Sequence, residues 1–308
     1  MQRRSFLQQS LAASAAITAA GSFLPSSIQA TEGGKSSPRF RFCTFTKSLQ
    51  HLSYDDLAKR TAALGFDGLE VPIRPGGHIE PEKVEDELPK MVEALKKHGL
   101  EMTVMTSGIN EVSKEQRTEA VLRTAAGLGI ERFRMLYYKY DLKKPIFPQV
   151  DEFRPKLRDL VAASREIGIK PIYQNHSGKD YFGATVWDLA EVMQEFDAKD
   201  VGIAFDIGHA TTEGSKCWPL HWAVCRDHLD TVYIKEPHWT EVGKAPKVGP
   251  LGEGGVDPGF YQTLLKSGFA GPISLHVEYV DHKDPSQEPV FLAAVAKDFA
   301  KLKDYLEL

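Results

Sequence analysis

The sequence is poor in cysteine and carries no excess of positive charge. Only three of its 308 residues are cysteine, so a disulfide scaffold is excluded and stability must come from a hydrophobic core. The 38 Lys and Arg residues are outnumbered by 42 Asp and Glu, which gives a formal net charge of −4. Such a chain lacks the basic face with which proteins bind nucleic acid. Hydrophobic residues at 42% and charged residues at 26% exclude a disordered, collagenous or multi-span membrane chain.

The N-terminal region lacks an apolar run long enough to span a bilayer. Residues 11–24 are uncharged, but they are too few and too weakly apolar for that purpose. Residues 3–7, Arg-Arg-Ser-Phe-Leu, resemble the twin-arginine export motif, and residues 27–30 provide a cleavage region. We therefore predict a signal peptide over residues 1–30, a flexible lead-in over residues 31–38, and a periplasmic or secreted mature protein with no membrane attachment. An uncleaved amphipathic start or a lipid-facing anchor is the alternative.

Residues 39–308 alternate short apolar runs with amphipathic helical patterns. The apolar runs predict eight strands: Phe40–Phe45, Gly68–Ile73, Glu101–Thr106, Arg132–Tyr137, Lys170–Gln174, Gly202–Phe205, Thr231–Lys235 and Pro272–Val277. The helical patterns between them include Tyr54–Leu64, Glu82–His98, Ser113–Leu128, Glu152–Ile167, Val186–Phe196, Pro219–His228 and Pro258–Lys266. Several helices are predicted to end at a glycine in the positive-φ conformation, namely Gly65, Gly99, Gly129, Gly168 and Gly268.

Repetition of this strand–helix unit predicts the fold. Eight βα units in about 270 residues predict a single (β/α)8 barrel, a TIM barrel that forms one catalytic domain over residues 39–308. An open doubly wound sheet is the alternative. No Gly-x-Gly-x-x-Gly follows the first predicted strand, so a nucleotide-binding sheet of that kind is disfavoured.

Reactive polar residues are concentrated at the C-terminal ends of the predicted strands and in the loops that follow, where a parallel barrel carries its chemistry. These residues are Glu70, Arg74, His78, Gln174, His176, Asp206, His209, Lys235, His238, Trp239, His276 and Glu278. Residues two apart on a strand share a face, which places His276 beside Glu278. Inward charges are costly unless they are paired or bind a metal, and Asp206 and His276 are both good ligands for Mn²⁺ or Zn²⁺.

Four short motifs, considered together with their positions along the chain, resemble the xylose isomerase-like TIM barrels. They are Asp206-x-x-His209 after the sixth strand, Asn175-His176 after the fifth, Lys235-Glu236 after the seventh, and Pro-Leu-Gly-Glu-Gly-Gly-Val-Asp at residues 250–257. The resemblance covers residues 40–305. That family includes sugar phosphate isomerases and epimerases, ketose 3-epimerases, inosose dehydratases and endonuclease IV.

The resemblance implies a metal cofactor, although the usual ligands are changed. The family usually holds one metal with Glu, Asp, His and Glu on strands five to eight. This sequence has Gln174, Asp206, Tyr233 and His276 at those positions, and a tyrosine with a pKa of about 10 is a poor ligand. We expect one divalent ion (Mn, Zn, Mg or Co) held by Asp206 and His276, with Gln174 through its amide oxygen and His176 as further ligands.

The resemblance also implies roles for the other polar residues. Lys235 is expected to polarise a sugar carbonyl, and Glu278 or His209 to move the proton beside it. Expected substrate-binding residues are His209, Arg74, His176, Glu70 and Trp239. The structural alternatives are that Asp206 caps the next helix, that Lys235 forms only an ion pair with Glu236 or Glu278, and that Glu70 and Arg74 pair with each other.

These expectations favour an exported, metal-dependent isomerase or epimerase acting on a small carbohydrate. The same enediolate intermediate would also serve a lyase or dehydratase that cleaves a keto-sugar or 3-keto-glycoside by β-elimination. A non-catalytic sugar-binding barrel is a further alternative. A nuclease like endonuclease IV fits less well, because it needs three metals and a basic groove. The sequence leaves open which sugar is bound and whether the chain forms a homo-oligomer.

Overall fold

A computed structural model describes residues 40–308; the predicted signal peptide and lead-in lie outside the described residues. Its strands are β1 (Arg41–Phe45), β2 (Gly68–Ile73), β3 (Glu101–Ser107), β4 (Arg132–Arg134), β5 (Lys170–Gln174), β6 (Gly202–Asp206), β7 (Leu229–Ile234), β8 (Glu236–His238), β9 (Lys247–Gly249) and β10 (Pro272–Leu275). All except β8 and β9 pair in parallel and close into a barrel in the order β1-β10-β7-β6-β5-β4-β3-β2. The predicted TIM barrel is confirmed.

Helices follow the barrel strands and surround the sheet. They are α1 (Tyr54–Ala62), α2 (Val84–Lys97), α3 (Thr118–Gly127), α4 (Ile146–Ile167), α5 (Trp187–Met193), α6 (Ile207–Gly214), α7 (Trp218–Cys225), α8 (Gly259–Lys266) and α9 (Glu288–Tyr305). The predicted positive-φ glycines, residues 65, 99, 129, 168 and 268, all have φ between 73° and 87°. Within residues 40–308, no helix has both the length and the apolar character needed to cross a bilayer.

Several elements differ from the sequence-based expectations. The last barrel strand was expected to continue to Val277 but ends at Leu275, so His276 and Glu278 follow the strand and do not share a strand face as predicted. The fourth strand was expected to continue to Tyr137 but ends at Arg134, because Leu136 N donates to the carbonyl of Ile109 in a loop rather than to a neighbouring strand. The connection between β7 and α8 contains the antiparallel hairpin of β8 and β9. Its strands have three residues each, too few to show an alternating pattern in the sequence.

The barrel interior is filled by side chains. Val104, Ile172, Ala204 and Tyr233 form a cluster of their own there, each fully buried. A second and larger core lies between the strands and the helices. Since the interior is packed, a ligand has access to the barrel only at its two ends.

The N-terminal end of the barrel is held by paired charges. Asp230 at the start of β7 forms ion pairs with Arg132 of β4 at 3.0 Å and with Lys170 of β5 at 2.8 Å. A cavity of about 900 Å³ opens at this end and is lined in part by Arg132 and Asp230. Because these two charges already have partners, this end of the barrel contributes to stability, and catalytic residues are expected at the other end.

Candidate functional site

A buried carboxylate lies at the base of the site. Glu70 Oε1 accepts hydrogen bonds from Thr106 Oγ1 at 2.6 Å and from the Tyr233 hydroxyl at 3.2 Å. Its Oε2 accepts from Ser274 Oγ at 2.7 Å and lies 2.9 Å from His276 Nε2. The Glu70 side chain is fully buried, so its role in the structure is to hold its neighbours in place. Its contact with a substrate stays a prediction.

Arg134 joins this base to the next layer. Its Nε lies 3.6 Å from Glu70 Oε1, and its Nη1 donates to the Tyr137 hydroxyl at 2.7 Å and to the amide oxygen of Gln174. Burial alone would raise the pKa of Glu70, but His276 and then Arg134 outweigh it and lower that pKa to about 2. The alternative that Glu70 pairs with Arg74 is therefore not what the structure shows. The guanidinium beside Glu70 is that of Arg134.

Asp206 ends β6 and accepts hydrogen bonds on both oxygens. Its Oδ1 accepts from the backbone N–H of His209 at 2.9 Å, which caps α6 as the structural alternative predicted. Its Oδ2 accepts from Gln174 Nε2 at 2.7 Å and lies 3.3 Å from Lys235 Nζ. The Asp206 side chain is fully buried, so the cap and the two side-chain contacts fix its orientation.

Lys235 is an ammonium held between two carboxylates. Its Nζ lies 3.3 Å from Asp206 Oδ2 and 3.2 Å from Glu278 Oε2. Burial would lower the pKa of Lys235, but Asp206 and Glu278 raise it above its ordinary value. In turn Lys235 holds the pKa of Glu278 below its usual range. Lys235 is therefore charged at neutral pH, and Glu278, with 27% of its side chain exposed, is a carboxylate at the open end of the cluster.

A glycine makes room for this lysine. An ideal Cβ placed on Gly208 would lie 2.6 Å from Lys235 Cγ and 2.7 Å from its carbonyl oxygen. Any larger residue at position 208 would have to displace the lysine. The Asp-x-x-His motif therefore includes a second requirement, for glycine at its third position.

Two stacked imidazoles border the cluster. The rings of His176 and His209 are 3.9 Å apart between centroids, and Ser177 Oγ lies 2.7 Å from His209 Nδ1. His209 Nε2 is buried and has no hydrogen-bond partner within residues 40–308. Burial, followed by the charge of Lys235, lowers the pKa of His176 to about 4 and that of His209 well below its ordinary value. Both rings are therefore neutral at pH 7.

The predicted site residues separate into three groups. One continuous cluster contains Gln174, Asp206, Lys235, Glu278, His176 and His209, and we call it the lysine cluster. Glu70 and His276 lie in the layer beneath it. Arg74 and Trp239 lie on loops, and Trp239 is 47% exposed with its indole against Gly255.

Sequence reasoning gave Arg134 and Tyr137 no role in the site, although both hydrogen-bond Gln174. A signal was available for Arg134. Arg134 lies within a predicted barrel strand, and an arginine that faces the interior there must find a buried partner, because an unpaired buried charge is strongly destabilising.

The side chains of the lysine cluster do not suit a divalent ion. The Gln174 amide oxygen accepts from Arg134 and Tyr137, while its nitrogen faces Asp206. The Nε2 of His276 is engaged by Glu70, and the cation beside Asp206 is Lys235. Among the described residues, no group of three or more His, Cys, Asp or Glu is placed to hold a metal. The four predicted ligands thus do not form one donor set, and the metal stays an expectation from the resemblance.

Comparison with known proteins agrees with the barrel and the motifs. Residues 58–298 match the family described as xylose isomerase-like TIM barrel. This match covers well over half of the chain, so the chain belongs to that family. An uncharacterized protein of Methanocaldococcus jannaschii is 27% identical over 156 residues, which are 49% of this chain and 47% of that protein. The matched region therefore spans about half the length of that relative.

Solved structures share the fold at low sequence identity. D-psicose 3-epimerase of Clostridium cellulolyticum has a TM-score of 0.68 at 12% identity, covering 87% of this chain and 100% of the other. The IolI protein, solved with a bound zinc atom, has a TM-score of 0.67 at 16% identity, and the match covers 87% of this chain and 98% of that protein. The 3-keto-D-glucoside 4-epimerase of E. coli has a TM-score of 0.63 at 17% identity, and the match covers 86% of this chain and 100% of that protein. At these identities the likeness shows the fold alone.

Proposed function

We propose that this protein is a sugar isomerase or epimerase that removes a proton beside a carbonyl. The observation that carries the proposal is the Lys235 ammonium, fixed 3.2 Å from Glu278 and 3.3 Å from Asp206 at the C-terminal end of the barrel. Such an arrangement places a positive charge and a partly exposed carboxylate within reach of the same substrate atoms. The epimerases that share the fold support a carbohydrate substrate.

The proposed chemistry uses the shared hydrogen bonds of Lys235. Glu278 takes the proton from the carbon beside the carbonyl, and the electron pair of that C–H bond moves to give an enediolate oxygen. Lys235 donates a hydrogen bond to this oxygen and so stabilises its charge. As Lys235 turns toward the substrate, its hold on Glu278 weakens and the basicity of Glu278 rises.

Return of the proton completes the reaction. Delivery by Glu278 to the former carbonyl carbon, with the adjacent hydroxyl proton passing to the enediolate oxygen, gives an isomer. Delivery to the original carbon from the opposite face gives an epimer. His209 is suited to the opposite face or to a substrate hydroxyl, because its Nε2 is free of hydrogen bonds among the described residues and the ring is neutral. If the enediolate instead expels a β-substituent, the enzyme is a lyase of the kind that the sequence left as an alternative.

We further propose that Lys235 supplies the positive charge that the family resemblance assigns to a divalent ion. The support is the donor set, in which Gln174 and His276 are already hydrogen-bonded and Asp206 faces the ammonium. Activity is expected to survive dialysis against a chelator. Loss of activity on chelation with recovery on adding Mn²⁺ or Zn²⁺ would contradict this step and favour the metal.

The test of the proposed function is exchange of substrate hydrogen with solvent deuterium. D-Psicose and a 3-keto-glucoside are incubated with the enzyme in D₂O, and the carbon-bound deuterium is measured by NMR. Glu278→Gln keeps the side-chain volume and removes the base, so exchange should fall by about 10²–10⁴-fold. Glu253→Gln is the matched control, because Glu253 is exposed and its carboxylate forms an ion pair with Lys297. Binding without exchange in the wild type would instead indicate the sugar-binding alternative.

Export remains a proposal that concerns residues outside those described. The twin-arginine reading predicts that replacing both arginines at residues 3 and 4 by lysine leaves the protein in the cytoplasm. Unchanged periplasmic yield in cell fractionation would rule it out.

A further inference from the structure

A second group of basic residues lies above the lysine cluster, at the mouth of the barrel. Lys47 follows β1, Arg74 follows β2, and His282 and Lys283 follow β10. We call these four residues the basic rim. They line a cavity of about 600 Å³, and no Asp or Glu is among the residues that line it. The cavity lies at the C-terminal end of the strands, the same end as the lysine cluster.

The two inner members of the rim are not neutralised by a direct ion pair. Lys47 and Arg74 are half-buried, and neither forms an ion pair with any carboxylate in residues 40–308. Burial lowers the pKa of Lys47 and of Arg74, and the neighbouring cations add to this effect, while Glu278 opposes it in both cases. The net lowering shows that the nearby carboxylates do not fully balance these charges, so an anion bound there would be attracted.

The rim is preorganised by hydrogen bonds between its loops. Gln50 Nε2 donates to the carbonyl of Gly76 at 2.8 Å, and His78 Nε2 lies 3.0 Å from the carbonyl of Thr46. These contacts tie the loop after β1, which carries Lys47, to the loop after β2, which carries Arg74. The backbone that carries the two cations is therefore held in place before any ligand binds, which reduces the entropy lost on binding.

A glycine on the next strand connection supports the same loop. A Cβ on Gly108 would lie 3.2 Å from Pro75 Cδ and 3.5 Å from Arg74 Cβ. The backbone after β3 thus packs directly against the Arg74 turn. Support from three successive loops indicates a built subsite rather than loose surface charge.

We propose that the substrate of this site carries an anionic group, a carboxylate or a phosphate, which Lys47 and Arg74 bind while the sugar carbon reacts at Lys235 and Glu278. This inference rests on the proposed function and names its substrate class. A guanidinium binds either anion with two parallel hydrogen bonds, and an ammonium beside it adds a point charge. A sugar acid and a sugar phosphate share this chemistry, and the experiment distinguishes between them.

The test measures binding without turnover. The full-length protein is titrated by calorimetry with D-glucuronate, D-glucose 6-phosphate and D-glucose as probes. We expect at least one charged sugar to bind about tenfold or more tightly than D-glucose, since one bidentate charge-assisted contact is worth about that much. Preference for glucuronate identifies the carboxylate, and preference for the 6-phosphate identifies the phosphate.

Variants locate the effect. Arg74→Gln and Lys47→Gln should each reduce the preference, their combination should abolish it, and Arg74→Lys should retain part of it. Arg226→Gln is the matched control, because Arg226 lines the cavity at the N-terminal end and pairs with Asp227. Circular dichroism melting of each variant shows whether it is folded.

Three outcomes would overturn the inference: equal affinity for all three sugars, a preference that survives in the double variant, or no detectable binding of any probe. The proposed function fails separately. If deuterium exchange is absent while charged sugars still bind more tightly, the anion-binding role of the basic rim is supported and the proposed proton removal is wrong. If exchange occurs on neutral sugars that bind as tightly as charged ones, the proposed proton removal is supported and the anion-binding role of the basic rim is wrong.

Discussion

Two glutamates in this barrel show how position decides the use of a side chain. Glu70 is fully buried and both of its oxygens accept hydrogen bonds, so it acts as a structural anchor. Glu278 is partly exposed, and its one described hydrogen bond comes from Lys235. Glu278 can accept a proton from a bound ligand without any loss of the hydrogen bonds around Glu70 and His276 in the layer beneath. The difference supports Glu278, and not Glu70, as the base.

Gly208 gives a prediction at this scale. Gly208→Ala would place a methyl group 2.6 Å from Lys235 Cγ, so the lysine must move away from Asp206 and Glu278. A displacement of about 1 Å in a catalytic group can cost about 10²-fold in rate, and we expect a loss of that order with the fold retained. Steady-state kinetics together with a melting curve will measure both effects.

A control separates this effect from helix stability. Gly127, in α3, has no atom within 4 Å of an added Cβ, so Gly127→Ala tests a glycine-to-alanine change in a helix without a clash. Equal activity in the wild type and in Gly208→Ala would show that the position of Lys235 is not critical.

At the scale of elements, the connection between β7 and α8 is fixed by one buried carboxylate. Glu236 Oε1 accepts from the backbone N–H of Val256 at 2.7 Å, and its Oε2 accepts from that of Gly252 at 3.0 Å. The Gly-Glu-Gly-Gly segment at residues 252–255 thus folds over the residue next to Lys235. This contact explains a motif that the sequence offered only as a family likeness.

Removal of that carboxylate is expected to loosen the segment. Glu236→Ala leaves the buried N–H of Val256 without an acceptor, at about 1–3 kcal/mol, and frees the more exposed N–H of Gly252 to water. We expect faster hydrogen exchange at residues 252–256 and lower stability, measured by mass spectrometry and urea unfolding. Glu253→Ala, in the same segment but exposed, should change neither. Equal protection in Glu236→Ala and the wild type would refute this account.

Most elements were predictable because their signals are local. Gly65 and Gly168 each mark the end of a helix, because a positive φ ends the helix there, and the next strand begins shortly afterwards. The β8–β9 hairpin has no such signal, because its strands are three residues long. Its pairing depends on contacts made only after the chain has folded.

The site was predictable in place but not in detail. Residues at strand ends identify the correct end of the barrel for Asp206 and Lys235. The partners of Gln174 and His276 depend on how neighbouring strands are staggered, which the sequence does not specify. For that reason His276 was predicted beside Asp206, whereas its nitrogen is engaged by Glu70 in the layer below.

At the scale of the whole molecule, Glu70 links strands around half of the barrel. It lies on β2, and its partners Thr106, Arg134, Tyr233 and Ser274 lie on β3, β4, β7 and β10. Its carboxylate therefore couples the protonation of one side chain to the integrity of the sheet.

This coupling predicts acid sensitivity. The pKa of Glu70 is lowered from 4.5 to about 2, so its stabilisation is fully present above pH 4.5 and is lost as the pH falls through about 2. The contribution is about 3 kcal/mol. Urea unfolding at pH 7, 4 and 2.5 should show the wild type more stable than Glu70→Gln at pH 7, with the difference shrinking as the pH falls. A pH-independent difference would contradict the assignment.

The seam of the barrel has a consequence for synthesis. Arg41 at the start of β1 pairs with Pro272 at the start of β10, the last strand of the barrel in chain order among the described residues. A ribosome must therefore translate the chain as far as β10 before the first strand gains its second neighbour. Until then β1 presents an open edge to other nascent chains, which is the kind of surface that seeds aggregation and that chaperones cover.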